Sequence, residues 1–128
     1  MGRKPPATVL VVDAANVVGA RPDGWWKDRA GAARRLHDAL LVADVPGEEV
    51  VLVLEGGAKG GVPAGRDAHV RVVHAARDGD ATILAEAGRA SERGAQVTVV
   101  TADRALAANV GGVGATVLGP TWLLDLLG

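Results

Sequence analysis

The chain has no cysteine, tyrosine or phenylalanine, and three tryptophans make up its whole complement of large aromatic side chains. Without cysteine it can build no disulfide, no thiolate-ligated zinc site and no thiol nucleophile. It has no apolar run near the ~18 residues that read as a membrane span. The basic opening Met1-Gly-Arg-Lys-Pro-Pro is followed by an apolar run, Ala7 to Val12, that stops at Asp13, short even of a signal-peptide core. A cytoplasmic protein with no membrane partner is the expectation. Strong charge of either sign is also missing: the formal net charge is -1, so any role with nucleic acid must rest on a site and not on an overall basic surface. Lysine is scarce, with three against eleven arginines and none after Lys59. What remains is 128 residues that are 48% apolar. That is one domain's worth of chain, expected as a single unit over residues 1–128, and large enough to bury roughly two thirds of its surface without staples.

Five short β-branched runs read as strands: Thr8-Val-Leu-Val-Val12, Val50-Val-Leu-Val-Leu54, Val70-Arg-Val-Val73, Val97-Thr-Val-Val100 and Ala115-Thr-Val-Leu118. The first, second and fourth are almost continuously apolar, as strands covered on both faces of a parallel sheet must be, whereas Arg71 places the third nearer an edge. Between them, Asp28 to Ala43 and Asp80 to Arg93 carry apolar residues at helical spacing, each starting at an Asp suited to capping. A shorter helix is expected from Asp103 or Arg104 to Val110, and Pro120 opens a last one through Leu127. The order predicts an α/β fold: a three-layer, open, mostly parallel five-stranded sheet with helices on both faces. The segment Gly56 to Asp67, with five glycines and one proline in twelve residues, reads as a mobile loop of functional length.

Ligands of open α/β sheets bind outside the carboxyl ends of the strands. The residues that follow these strands are acidic: Asp13 after the first, Glu55 after the second, Asp78 and Asp80 after the third, and Asp103 after the fourth. Like charges ~4 Å apart repel by about 4 kcal/mol at an effective dielectric near 20, so such an edge calls for compensation. A hard divalent cation, Mg²⁺ or Mn²⁺, would supply it. The plainer alternative is open for each residue. An Asp before a helix serves as a cap worth roughly 1 kcal/mol, which suits Asp80 and Asp103; Glu55 suits a solvated loop; Glu86 suits either a supporting carboxylate or a surface charge. Asp13 resists that alternative because it ends a buried strand, where a charge must be paired or metal-bound, and Asn16 lies three residues on to orient it.

Other phosphate chemistries are excluded by what is missing. Position 15 is Ala where a haloacid-dehalogenase-type site needs a second Asp, and the absence of late lysine removes a response-regulator receiver. There is no Walker lysine motif and no Rossmann glycine fingerprint after the first strand. His37, His69 and His74 have no nucleophile motif nearby and read as surface or boundary residues.

Four stretches, taken in order, resemble the PIN-like NYN nucleases, specifically the bacterial YacP-like branch: Val11-Val-Asp-Ala-Ala-Asn16, Leu52-Val-Leu-Glu-Gly56, Val72 through Asp80 to Ile83, and Val99-Val-Thr-Ala-Asp-Arg104. The resemblance implies a metal-dependent endoribonuclease acting on single-stranded RNA. Asp13, Asp80 and Asp103 would then be its catalytic, metal-binding carboxylates, with Asn16 in support, Glu55 as a fourth ligand and Asp78 as a substitute one; Glu86, from its position in the helix alone, is the candidate for a second supporting residue. Lys27, Arg29, Lys59, Arg66, Arg77 and Arg104 flank the strand ends and would take phosphates, while Trp25 would stack a base. Two positions depart from the family: Glu55 replaces Asp, and Ala81 replaces a second acid after Asp80. The alternatives are a catalytically lapsed RNA- or protein-binding module on the same scaffold and a small-molecule phosphohydrolase.

Overall fold

The computed structural model describes residues 5–128; the basic stretch at residues 1–4 lies outside them. Five strands appear within a residue or so of the expected runs: β1 Thr8–Asp13, β2 Glu49–Leu54, β4 Val70–His74, β5 Gln96–Val100 and β6 Thr116–Leu118. A sixth, β3, spans Gly65–Asp67. The sheet order is β3-β4-β2-β1-β5-β6, parallel throughout except for β3, which runs antiparallel to β4.

Five helices connect these strands: α1 Ala14–Gly19, α2 Arg29–Val42, α3 Gly79–Glu92, α4 Arg104–Gly111 and α5 Pro120–Leu127. The pleat sends alternate residues to opposite sides. Leu10, Val12, Leu52 and Leu54 pack with Leu36 and Leu40 of α2 and Leu123 of α5. Val9, Val11, Val51 and Val53 pack on the other side with Ile83 and Ala87 of α3 and Leu106 of α4. Both faces are therefore covered, which explains why β1 and β2 read as unbroken apolar runs.

Three expectations change. The segment Gly56 to Asp67 is not a free loop: Gly56–Gly60 forms a 3-10 helix and Gly65–Asp67 forms β3. Its path is fixed by contact with α2, because a Cβ on Gly61 would stand 2.0 Å from the Ala30 carbonyl oxygen. Arg71 is consequently not at an edge, since β3 covers that side of β4. Lastly, α3 starts one residue earlier than expected, at Gly79, with Asp78 in place of Asp80 as its cap, and α1 is a helix where the sequence shows only a turn. Six residues are too few for helical periodicity to register.

The chain steps from β1 to β2 and β4 on one side, then returns to place β5 and β6 on the other. That reversal opens a crevice at the carboxyl ends of β1 and β5, the position where such sheets bind ligands.

Candidate active site

Asp13, the last residue of β1, is 4% exposed and sits at this switch point. Its Oδ2 accepts a hydrogen bond from Asn16 Nδ2 at 2.7 Å and another from the Thr101 hydroxyl at 2.8 Å. Thr101 follows β5 directly and is 3% exposed; its oxygen also accepts from the Asp103 backbone N–H at 3.1 Å. Asn16 closes the arrangement by accepting at Oδ1 from the Ala102 N–H at 3.3 Å. The buried carboxyl group is thus held by neutral donors from two chain segments, which fixes its orientation.

Asp103 caps α4, its Oδ1 accepting from Leu106 N–H at 2.9 Å. Asp78, not Asp80, caps α3, accepting at Oδ1 from the Asp80 N–H at 3.0 Å. The Asp80 side chain stands exposed in the first turn of that helix. Glu55, just past β2, reaches across to accept at Oε2 from the Gly79 N–H at 2.8 Å. Three helix N-termini therefore face the acidic edge, and their positive dipole ends offset part of its charge.

The offset is incomplete. Partial burial first, then the charges of Asp103, Asp78, Asp13 and Glu55, hold the Asp80 carboxyl above its ordinary range. Among the described residues no ion pair joins any of these five carboxylates to a Lys or Arg. The donor set is all hard oxygen, which suits Mg²⁺ or Mn²⁺. Among the described residues, however, no three of these side chains already converge closely enough to cage an ion.

Several residues expected to help do something else. Glu86 is buried, but its carboxylate oxygens accept from Arg71 and Arg89, and Arg71 also pairs with Glu49. Burial alone would push the Glu86 carboxyl up, yet the two guanidiniums outweigh it and hold the carboxyl below its usual range. Glu86 belongs to an ion-pair network under β4 and does not support the acidic edge. Arg66 on β3 joins the same network through Glu49 and is not a free phosphate contact. Lys59 donates to the Ala75 carbonyl at 3.0 Å, tying the 3-10 helix to the end of β4. Lys27 and Arg104 are exposed, whereas Arg29, Arg77 and Trp25 line a cleft of about 330 Å³ bordered by Glu55 and Asp78.

The histidines stay away from this chemistry. His69 and His74 bond the Leu40 and Val62 carbonyls, and His37 is not a surface residue at all: it is 5% exposed, with neither ring nitrogen bonded. The residue that sequence reasoning missed is Thr101. Its signal was a hydroxyl placed between the last strand residue and a capping Asp.

No protein-family model matches the chain, and no curated protein matches it. Solved structures do. Rae1 (YacP) from Bacillus subtilis superposes with a TM-score of 0.72 at 22% identity, over 93% of this chain and 72% of that one. A tryptophan-to-leucine mutant of the same protein gives 0.66 at 20%, over 94% and 74%. The chain has the Rae1 fold, which matches at the level of fold the resemblance carried by its motifs. No helix among the described residues is long and apolar enough to cross a membrane.

Proposed function

We propose that the chain is a cytoplasmic, metal-dependent endoribonuclease that hydrolyses phosphodiester bonds of single-stranded RNA at the acidic edge, working as one domain with Mg²⁺ or Mn²⁺. The observation that carries this reading is the placement of Asp13, Glu55, Asp78, Asp80 and Asp103 along one sheet edge, where no ion pair among the described residues relieves them and where partial burial and then the other four hold the Asp80 carboxyl above its ordinary range. A phosphodiester is itself anionic, so a cation is needed before it can approach such an edge. When bound, the metal would polarise the phosphoryl oxygen and activate water.

The chain's own residues supply placement. Asp13 is the rigid member, held by Asn16 and Thr101; Asp103 is tied to it through the Thr101 hydroxyl; Asp78, Asp80 and Glu55 come from the α3 side. One oxygen of Asp78, Asp103 and Glu55 satisfies a helix N–H, and the other takes no hydrogen bond from the described residues and is available to a cation. Arg77 and Arg104, both exposed, are positioned to take flanking phosphates. The histidines are engaged or buried elsewhere, so no imidazole stands at the edge to deprotonate the RNA's own 2′-hydroxyl, and the reading assigns the attack to water that the bound cation would activate. Water is therefore the nucleophile in this reading, and in-line attack expels the 3′-oxygen.

Purified protein given single-stranded RNA with Mn²⁺ should yield 5′-phosphate and 3′-hydroxyl ends, stop with EDTA, and lose turnover in Asp13→Asn. Cyclic-phosphate ends, or full activity in that variant, would overturn the mechanism. The lack of a formed ion cage, with Ala81 at a position that is acidic in the family, favours one second reading: a lapsed enzyme that binds RNA without cutting it. Metal-independent RNA binding with no product would establish it.

A further inference from the structure

The cleft beside the acidic edge has a composition unlike the edge itself. Its floor is made of small apolar side chains, Ala15 and Val18 of α1 and Ala58 of the 3-10 helix. One wall is Trp25, with the Arg29 guanidinium 5.4 Å from the centre of its indole ring. Trp25 is held on a second side by Trp26, whose ring meets it edge-on at 6.1 Å, and on a third by α1, where the Gly19 Cβ position lies 3.7 Å from the indole. Arg77 also lines the cleft, as do Glu55 and Asp78, two members of the acidic edge.

We infer that this cleft receives one unpaired nucleobase of the RNA, next to the phosphate presented to the acidic edge. The inference rests on the nuclease reading for its substrate and on the cleft for its geometry. The volume of about 330 Å³ lies at the small end of ligand pockets, ~300–1,000 Å³, which suits a single base with its sugar and not a base pair. A flat apolar floor of alanines offers no hydrogen-bond pattern to read, so selection is by shape and stacking. The paired indole and guanidinium provide planar stacking surfaces already fixed in place, which lowers the ordering cost of binding. Arg77, exposed and lining the cleft, would take the phosphate attached to that base. Because Glu55 and Asp78 line the cleft and also belong to the acidic edge, the base that enters belongs to a nucleotide at or next to the scissile bond. A duplex cannot deliver it without first unstacking, so the cleft explains a single-strand requirement through structure.

The test measures binding of a labelled hexaribonucleotide in Ca²⁺, a hard cation that oxygen ligands accept in place of Mg²⁺ or Mn²⁺, compared with hexamers of the same backbone in which one nucleotide at a time is abasic. Stacking of a base on an aromatic is worth ~1–3 kcal/mol, about 5- to 150-fold in Kd. In the wild type, base removal should weaken binding about tenfold or more at one position and little elsewhere. Trp25→Ala should abolish that position dependence. So should Ala15→Leu, which fills the floor from an exposed helix position and leaves the core untouched. A free 5′-mononucleotide should bind far more weakly than the hexamer; equal affinity would overturn RNA as the occupant. Uniform losses at every position, or a dependence that survives both substitutions, would overturn the cleft even if RNA is cleaved in Mn²⁺. A position dependence lost in both variants, with no cleavage by the wild type, would uphold the cleft and overturn the nuclease reading alone.

Discussion

Replacing Asp80 by Asn in the metal-free protein should raise its stability, although it removes a charged residue from a helix N-terminus where acids are normally favoured by ~0.3–1 kcal/mol. The Asp80 carboxyl is held above its ordinary range, by burial first and then by Asp103, Asp78, Asp13 and Glu55. The folded state thus holds this proton more tightly than the unfolded chain does. The benefit is fully present below the unfolded value near 3.9 and is lost as pH rises through the folded one, so at pH 7 the ionised side chain works against the fold. A pair of charges ~8 Å apart at a dielectric near 20 would repel by about 2 kcal/mol. Asp80 is solvent-exposed, however, and screening reduces such interactions to ~0–1 kcal/mol. We therefore expect a net gain of about 0.5 kcal/mol in EDTA at low salt, roughly 2 °C in Tm for a chain of this size, fading toward 1 M salt as the Debye length shrinks to ~3 Å. Saturating Mn²⁺ should reverse the ranking. Binding at a hundred times Kd adds ~2.7 kcal/mol to the wild type, and the Asn variant should gain less. Thermal melts in EDTA and in Mn²⁺, at two salt concentrations, read this inversion. A variant that melts at or below the wild type in low-salt EDTA would refute the electrostatic argument, and parallel Mn²⁺ shifts would remove Asp80 from the metal site.

Other outcomes follow from single contacts. Thr101→Val keeps the shape but withdraws a buried hydrogen bond from Asp13, and should lower turnover ~10- to 100-fold in a product assay, with Thr101→Ser restoring most of it. His37→Leu replaces a buried ring with no bonded nitrogen by an apolar side chain of similar size and should stabilise by about 1 kcal/mol in denaturant titration. Gly61→Ala should destabilise by roughly 1–3 kcal/mol and loosen amide protection along Gly56 to Asp67, since its Cβ collides with the Ala30 carbonyl. Glu86, held below its usual range by Arg71 and Arg89, contributes stability that is present above the unfolded carboxylate range and lost as pH falls through the folded value. Glu86→Gln should therefore flatten the acid limb of a stability-against-pH curve.

The core strands were legible because their composition answers to one condition. A strand buried on both faces has no polar side to alternate with, and Leu10 to Val12 and Val50 to Leu54 show none. Less legible were features held by distant contacts. Strand β3 contains a glycine and two charged residues, Gly65-Arg-Asp67, a composition that no propensity assigns to a strand. It pairs because Arg66 reaches Glu49 and because the preceding segment is pressed against α2 at Gly61. Arg66 and Glu86 looked like candidates for the site for a related reason. A side chain's partners across the sheet are invisible in the sequence, and a charge that reads as free in one dimension is neutralised in three.

The acidic residues show why capping and ligation were never true alternatives. A carboxylate has two oxygens, and a helix N-terminus needs only one of them. Asp103 gives Oδ1 to Leu106 and Asp78 gives Oδ1 to Asp80, while Glu55 gives Oε2 to the first residue of α3. Each bond fixes the direction of a side chain that would otherwise rotate freely, and each helix dipole lowers the cost of gathering like charges on one edge. Asp80, which caps nothing, is the member whose carboxyl the others push up. The caps thus account for how the chain tolerates acidic residues after four neighbouring strands on one sheet edge, and Asp80, raised by partial burial and then by the other four, is the member they relieve least. The same logic makes Asp13 the fixed reference of the group. It is 4% exposed and held by Asn16 and Thr101, whereas Asp80, on the first turn of α3, accepts no hydrogen bond from the described residues.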